Sequence, residues 1–336
     1  MVTLSDIRAA ATRLAPHIHE TPILRCRSLD EAAGRPLALK AENLQRGGAF
    51  KLRGALNTLL QLSAADRARG VIAHSSGNHA QGVAIAARML GVRAVIVMPQ
   101  NANPLKVAAT RGYGADVVQD GVTGDNREQA TARLIAQHGY TLVHPYDDDR
   151  IIAGQGTVGL EIATQVNDVD AVFVPIGGGG LISGVAAAVK SLHPGARVFG
   201  VETEGADDAA RSLASGSRQR LSAVPTTIAD GIRSLSVGER NWEIIRRLVD
   251  GVLVVSDFDV AAALTLLLTR VKTVVEPTGA VAAAALLSRK HADRIGDVRN
   301  AAVVLSGGNL DLGSLPLALP LADPPAGAHP ISVTPS

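Results

Sequence analysis

A single cysteine, Cys26, occurs in the 336-residue chain. That excludes an intramolecular disulfide and any cysteine-rich metal cluster, and it suits a cytoplasmic setting. Cys26 itself reads as a small buried hydrophobe. Long runs of like charge are also missing. With 33 basic and 31 acidic residues the net charge is +2, which leaves no footprint for nucleic acid or an anionic membrane. No window of about 18 residues is uniformly apolar, and the opening Met1-Val2-Thr3-Leu4-Ser5-Asp6 has no basic start, apolar run or cleavage site, so neither a membrane span nor export is expected. Small-molecule chemistry remains. A hydrophobic content of 46% in a chain of this length predicts two packed lobes.

What is present is an alternation of apolar strands and helical stretches. Ile7, Ala10, Ala11 and Leu14 share one helical face after a Ser5-Asp6 start, and Leu37 to Glu42 reads as a short strand. Residues 71–74, 94–98, 115–118 and 140–143 read as buried strands, with helices near 79–89, 105–112 and 125–137 between them. After Asp147-Asp148-Asp149 the pattern resumes, with strands at 171–174, 198–201, 252–255 and 302–305 and helices near 151–166, 181–192, 258–272 and 278–289. These units predict an α/β chain with two parallel sheets, each flanked by helices. The proline-rich end, with Pro324-Pro325, Pro330 and Pro335, predicts an irregular tail.

Four stretches carry chemistry. In Gly47-Gly48-Ala49-Phe50-Lys51-Leu52-Arg53 two glycines lead into a lysine between apolar neighbours, a candidate Schiff-base nucleophile. Taken alone, the same segment suits a lysine in a first helical turn with its ammonium in water. His74-Ser75-Ser76-Gly77-Asn78-His79 follows a strand and opens a helix, which places hydroxyls, an amide and free N–H groups at a sheet end; helix capping is the alternative use of Ser75, Ser76 and Asn78. Gly177-Gly178-Gly179-Gly180 lies between a strand and a helix, where four residues without side chains let N–H groups converge on a phosphate. It is neither a P-loop nor a GxGxxG fingerprint. Ser306-Gly307-Gly308-Asn309 ends another apolar strand. One lysine, one phosphate cup and hydroxyls at sheet ends together suit a phosphorylated aldehyde, pyridoxal phosphate.

These motifs, with Glu42-Asn43-Leu44-Gln45, stand in the order that resembles the fold-type II pyridoxal-phosphate enzymes, which are tryptophan synthase β-like, and within them the threonine/serine dehydratase and serine racemase family. The resemblance covers about residues 5–313. It implies a large cofactor-binding domain from 1–54 and 148–318 and a small domain at 55–147, with 319–336 as the tail. It further implies that Lys51 carries the cofactor as a Schiff base and that Phe50 packs by the ring. Asn78 would bond the phenolic oxygen, Gly177, Gly178, Gly179 and Gly180 would hold the phosphate, and Ser306 would meet the pyridine nitrogen. A neutral serine does not enforce ring protonation, which favours elimination over transamination. Ser75, Ser76, Gly77, Asn78 and His79 would bind the substrate carboxylate, although His79, inside the first turn, also suits a structural role.

The activity implied is ammonia-lyase chemistry on L-threonine and L-serine, in a homodimer. Ser76 stands where racemases of the family have their second serine, so serine racemisation is an alternative with Lys51 and Ser76 as the two acid/base groups. Dehydration of 3-hydroxyaspartate is another, and a non-catalytic amino-acid-binding protein a third. Matching positions also imply a divalent cation (magnesium, calcium or manganese) at Glu202, Ala206 and Asp208; a solvated acidic loop capping the next helix is the alternative use of that stretch. Glu276 suits a helix start, Arg53 an ion pair, and Asp230-Gly231 a turn. No effector module is expected in the short tail.

Overall fold

The computed structural model describes residues 1–314; the proline-rich tail lies outside them. Thr3 opens the first helix, α1 (Leu4–Leu14), with a capping box in which its hydroxyl accepts the Asp6 N–H and Asp6 accepts the Thr3 N–H. Then come β1 (Ile23–Leu24), α2 (Arg27–Ala33), β2 (Leu37–Ala41) and α3 (Lys51–Leu60), which begins at Lys51 itself. After α4 (Ala64–Arg69) the alternation runs β3 (Val71–His74), α5 (Asn78–Leu90), β4 (Ala94–Val97), α6 (Pro104–Gly112), β5 (Asp116–Val118), α7 (Arg127–His138) and β6 (Thr141–Leu142). It continues with α8 (Asp149–Gln165), β7 (Ala171–Pro175), α9 (Gly180–Leu192), β8 (Arg197–Thr203), α10 (Asp208–Ser215) and α11 (Glu239–Leu248). The last elements are β9 (Gly251–Val255), α12 (Asp257–Leu266), α13 (Pro277–Leu287), α14 (Ala292–Ile295) and β10 (Ala301–Leu305).

Two sheets result, in strand orders β5-β4-β3-β6 and β1-β2-β10-β7-β8-β9. The smaller is parallel throughout. In the larger, β1 pairs antiparallel with β2, a departure from the all-parallel expectation. Two half-buried residues at an edge carry no periodicity to read, and an edge strand needs no crossover to its partner. The stretch expected as one helix over 258–272 also differs: α12 ends at Leu266, a π-helical turn spans Leu267–Val271, and Lys272 closes it with φ 61°. Cys26 is half-buried rather than buried, packed on the core with its Sγ 3.3 Å from Ser28 Oγ.

Each face of the larger sheet is covered. Phe173 and Phe199 stack at 5.2 Å on one face, while Val172, Val174 and Val198 point into the core on the other. Every residue of α13 from Thr278 to Leu286 is buried, which its alanine-rich sequence permits because small side chains let a helix sink wholly into the core.

Strand order decides which loops meet. β10 is the parallel neighbour of both β2 and β7, so the segments after Ala41, Leu305 and Pro175 leave the sheet side by side at one end. In the smaller sheet β3 neighbours β6, which brings the segments after His74 and Leu142 together. Chemistry-bearing residues far apart in the chain are thereby gathered at carboxyl ends of strands.

Candidate active site

Gly47 and Gly48 take φ of 76° and 72°, a left-handed turn that glycine makes without strain. The turn folds back onto the exit of β10. Gly308 N–H donates to the Gly48 carbonyl (2.8 Å), Phe50 N–H to that of Ser306 (3.2 Å), and Asn309 Nδ2 to that of Gly47 (2.8 Å). Lys51 follows, its Nζ donating to the Pro145 carbonyl at 2.8 Å and lying 5.1 Å from the Phe50 ring centre. Burial pushes this amine down to about 8. Helix α5 lies directly against it because Gly82 has no side chain; a Cβ there would sit 3.1 Å from the Lys51 carbonyl carbon.

Pro145 belongs to His144-Pro145-Tyr146, to which the sequence reading assigned no role. Its signal was positional, since it follows β6 at the same sheet end as His74-Ser75. A Cβ on Gly178 would strike the Tyr146 ring, and one on Gly180 would come 3.0 Å from the Tyr146 carbonyl oxygen. Two consecutive residues, Pro145 and Tyr146, therefore join the amine of Lys51 to the glycine turn. His144 packs edge-on to Tyr146 at 4.8 Å, and its Nδ1 accepts the N–H groups of Tyr146 and Asp147 at 3.2 and 2.7 Å. With Nδ1 accepting, the neutral ring carries its proton on Nε2. Burial lowers the basicity of His144, and pushes that of His74 down to about 4, so both rings are neutral at pH 7.

The turn Gly177 to Gly180 is held from behind. Its Gly178 carbonyl accepts from Gly238 N–H (3.0 Å) and Asn241 Nδ2 (2.8 Å). Since α9 begins at Gly180, its first N–H groups have no intrahelical acceptor and are available to an anion.

Helix α5 starts at Asn78 with Gly77 as its N-cap and no side-chain capping bond, so the capping use of Ser75, Ser76 and Asn78 does not hold. Ser75 Oγ accepts the Gly77 N–H at 3.3 Å, and Ser76 stays half-buried in the loop. Asn78 donates from Nδ2 to Glu276 Oε1 at 2.5 Å and accepts from Asn309 at 2.9 Å, which leaves one amide N–H for a ligand. His79 departs from the expected carboxylate site: its ring is buried and Nε2 bonds the Val143 carbonyl at 2.9 Å, so only its backbone N–H remains at the helix start. Ser306 is buried beside this group, with a long 3.4 Å bond to the Thr278 carbonyl.

Glu276 is the N-cap residue of α13 but makes no capping bond; its carboxylate meets Asn78 instead. Burial, with Asp230 adding to it, pushes this carboxyl up to about 7 against the pull of Lys106 and Asn78. Asp230, expected in a plain turn, lies in a single 3-10 turn and is ion-paired with Lys106 of α6, a link between the two sheets' loops.

The acidic loop does cap a helix. Glu202 accepts the N–H groups of Ala209 (3.1 Å) and Ala210 (2.9 Å), and Asp208 that of Val237 (2.7 Å). Burial, with Asp208 adding to it, raises the Glu202 carboxyl well above the carboxylate range, while burial pushes Asp208 up to about 6. Arg211 pairs with Asp207 at 2.8 Å. Among the described residues no group of three or more His, Cys, Asp or Glu side chains is placed to hold a metal ion.

Comparison with known proteins agrees with this geometry. A family model described as pyridoxal-phosphate dependent enzyme matches residues 14–307. The chain is 45% identical to a serine racemase of Arabidopsis thaliana over 92% of this chain and 94% of that protein. It is also 45% identical to an L-threo-3-hydroxyaspartate ammonia-lyase of Saccharomyces cerevisiae, over 92% and 94%. Among solved structures, the threonine deaminase of T.th. superposes with a TM-score of 0.88 at 51% identity, covering 92% of this chain and 99% of that one.

Proposed function

The chain belongs to the pyridoxal-phosphate dependent enzyme family, and from that premise we propose that it is an ammonia-lyase removing water and then ammonia from L-threonine and L-serine. One observation carries the reading: the amine of Lys51 and the phosphate-type turn at Gly178 contact adjacent residues, Pro145 and Tyr146. The residues present fit the cofactor, with an amine made less basic by burial, a glycine turn at a helix start and a buried, loosely bonded serine. When bound, pyridoxal phosphate supplies an aldehyde that exchanges between amines and a conjugated ring that takes up the electron pair left at Cα.

The chain's own residues supply the rest. Lys51, neutral above about pH 8, is the base for the α-proton, and its hydrogen bond to Pro145 aims the amine. The free N–H groups at the start of α5, with the hydroxyls of Ser75 and Ser76, bind the substrate carboxylate and fix Cα in register. Gly177, Gly178, Gly179 and Gly180 hold the phosphate, Asn78 the phenolic oxygen and Ser306 the ring nitrogen. Ser306 offers a neutral hydroxyl there, which favours elimination. The residues that would hold a divalent cation are Glu202 and Asp208, two buried carboxylates, with the buried Ala206 between them in sequence.

A second reading is racemisation, supported by Ser76, whose hydroxyl is not a helix cap, and by the similarity to a serine racemase. The test is one assay on L-threonine, L-serine and L-threo-3-hydroxyaspartate, following 2-oxo acid and D-enantiomer together. Oxo acid dominated by threonine and serine is expected. Abundant D-serine selects the racemase, oxo acid from hydroxyaspartate alone selects that ammonia-lyase, and no turnover of any of them overturns the proposal.

A further inference from the structure

Arg53 lies two residues beyond Lys51 on α3 and is completely buried. Its guanidinium makes two forks. Nε and Nη2 meet Glu42 Oε2 and Oε1, both at 2.8 Å, while Nη1 and Nη2 meet Glu161 Oε1 and Oε2 at 2.5 and 2.9 Å. Lys40, also buried, closes the group with a 2.5 Å bond to Glu161 Oε2, so two cations face two carboxylates. Burial opposes the charge on Arg53, but the pull of Glu42 and Glu161 holds it protonated.

The topology of this cluster matters more than its energy. A buried ionic group adds little net stability, because desolvation cancels most of the attraction, but bidentate forks fix orientation in a way that apolar packing does not. Glu42 and Arg53 flank the loop that contains both left-handed glycines and ends in Lys51. Their fork ties the two ends of that loop together, and Glu161 ties the same point to α8. Immediately beyond Arg53, α3 and α8 meet backbone to backbone: a Cβ on Gly154 would lie 2.6 Å from Gly54 Cα. Such a loop has little backbone stiffness of its own, and closing it at the base removes the freedom that would otherwise swing the amine.

We infer that Arg53 is a positioning residue for Lys51: by locking Glu42 to Glu161 at the base of the loop it holds the Lys51 amine against the Pro145 carbonyl. The inference rests on the reading of Lys51 as the cofactor lysine and adds a second requirement to it.

The test uses Arg53→Lys, which keeps the charge and loses the fork, and Glu161→Gln, which keeps the Glu42 fork. Ile162→Ala, a cavity on α8 in a different part of the core, controls for lost stability alone. Two quantities are read on cofactor-free protein: the pH at half-maximal labelling of Lys51 by an amine-reactive reagent, located by mass spectrometry, and the rate at which added pyridoxal phosphate is captured, from absorbance at about 410 nm. For Arg53→Lys the labelling midpoint rises by about one pH unit toward that of an ordinary lysine, and capture slows about tenfold. Glu161→Gln moves both in the same direction by less, and carries the test if Arg53→Lys does not fold. Ile162→Ala moves neither. Folded Arg53→Lys and Glu161→Gln with wild-type midpoints and rates overturn the inference. Absence of capture by the wild type sinks the cofactor reading instead, and the labelling still judges Arg53.

Discussion

Lys51 Nζ donates to the carbonyl of Pro145 at 2.8 Å across 94 residues of sequence. The bond joins the lysine of one sheet's loop to a residue that leaves the other sheet, in surroundings that push the amine down to about 8. Between pH 8 and the ordinary lysine value near 10.5 the folded protein therefore binds fewer protons here than the unfolded chain. Stability of the cofactor-free protein rises with pH across that window. Lys51→Met removes the slope and stabilises the cofactor-free protein below pH 8 by on the order of 1–3 kcal/mol, measured by urea titration at several pH values. An unchanged slope in the variant would refute the assignment.

Gly178 is packed against the Tyr146 ring with no room for a methyl group. Gly178→Ala must displace Tyr146 or the turn, and either change weakens phosphate binding. Pyridoxal-phosphate affinity falls by about tenfold or more, equivalent to about 1.4 kcal/mol. Gly195→Ala, where a Cβ meets open space, leaves it unchanged. Fluorescence titration of both variants decides the point.

Glu276 has the opposite pH signature to Lys51. Its folded-state carboxyl is raised from 4.5 to about 7 by burial, so its contribution to stability is complete below pH 4.5 and is lost as pH rises through about 7. Glu276→Gln flattens that decline and gains on the order of 2–3 kcal/mol above pH 7 in the cofactor-free protein. Denaturation midpoints at pH 5 and pH 8 check it; a decline that persists in the variant belongs to another group.

Glu202 and Asp208 are two carboxylates whose charge burial disfavours. On the proposed cation site, magnesium, calcium or manganese at a hundredfold excess over Kd is expected to stabilise the wild type by about 2.7 kcal/mol. Asp208→Asn abolishes that gain. Equal thermal shifts in both proteins would place the cation elsewhere.

Much of the fold was legible because buried parallel strands are short, unbroken apolar runs, as at Val71–Ala73 and Val95–Val97, and because the helices between them have room to show their period. The two-residue β1 had no period to show. At the site, Lys51 and the glycine turn announced themselves through residue type. Pro145 and Tyr146 did not, because a carbonyl and a ring gain their roles only when β6 is laid beside β3 and the segment after it meets Lys51. His79 stood in a motif whose backbone points to a ligand, yet its side chain turned to the Val143 carbonyl, a choice made by packing beyond the motif. Glu276 looked like a cap because it precedes Pro277, and only the approach of Asn78 shows its carboxylate engaged elsewhere.

The central claim is that one lysine carries pyridoxal phosphate. Borohydride reduction of the cofactor-loaded protein, followed by peptide mass spectrometry, tests it most directly. The account predicts a single reduced adduct, on Lys51, and none in Lys51→Ala. An adduct on Lys40, Lys106 or another lysine, or none in the wild type, would contradict it.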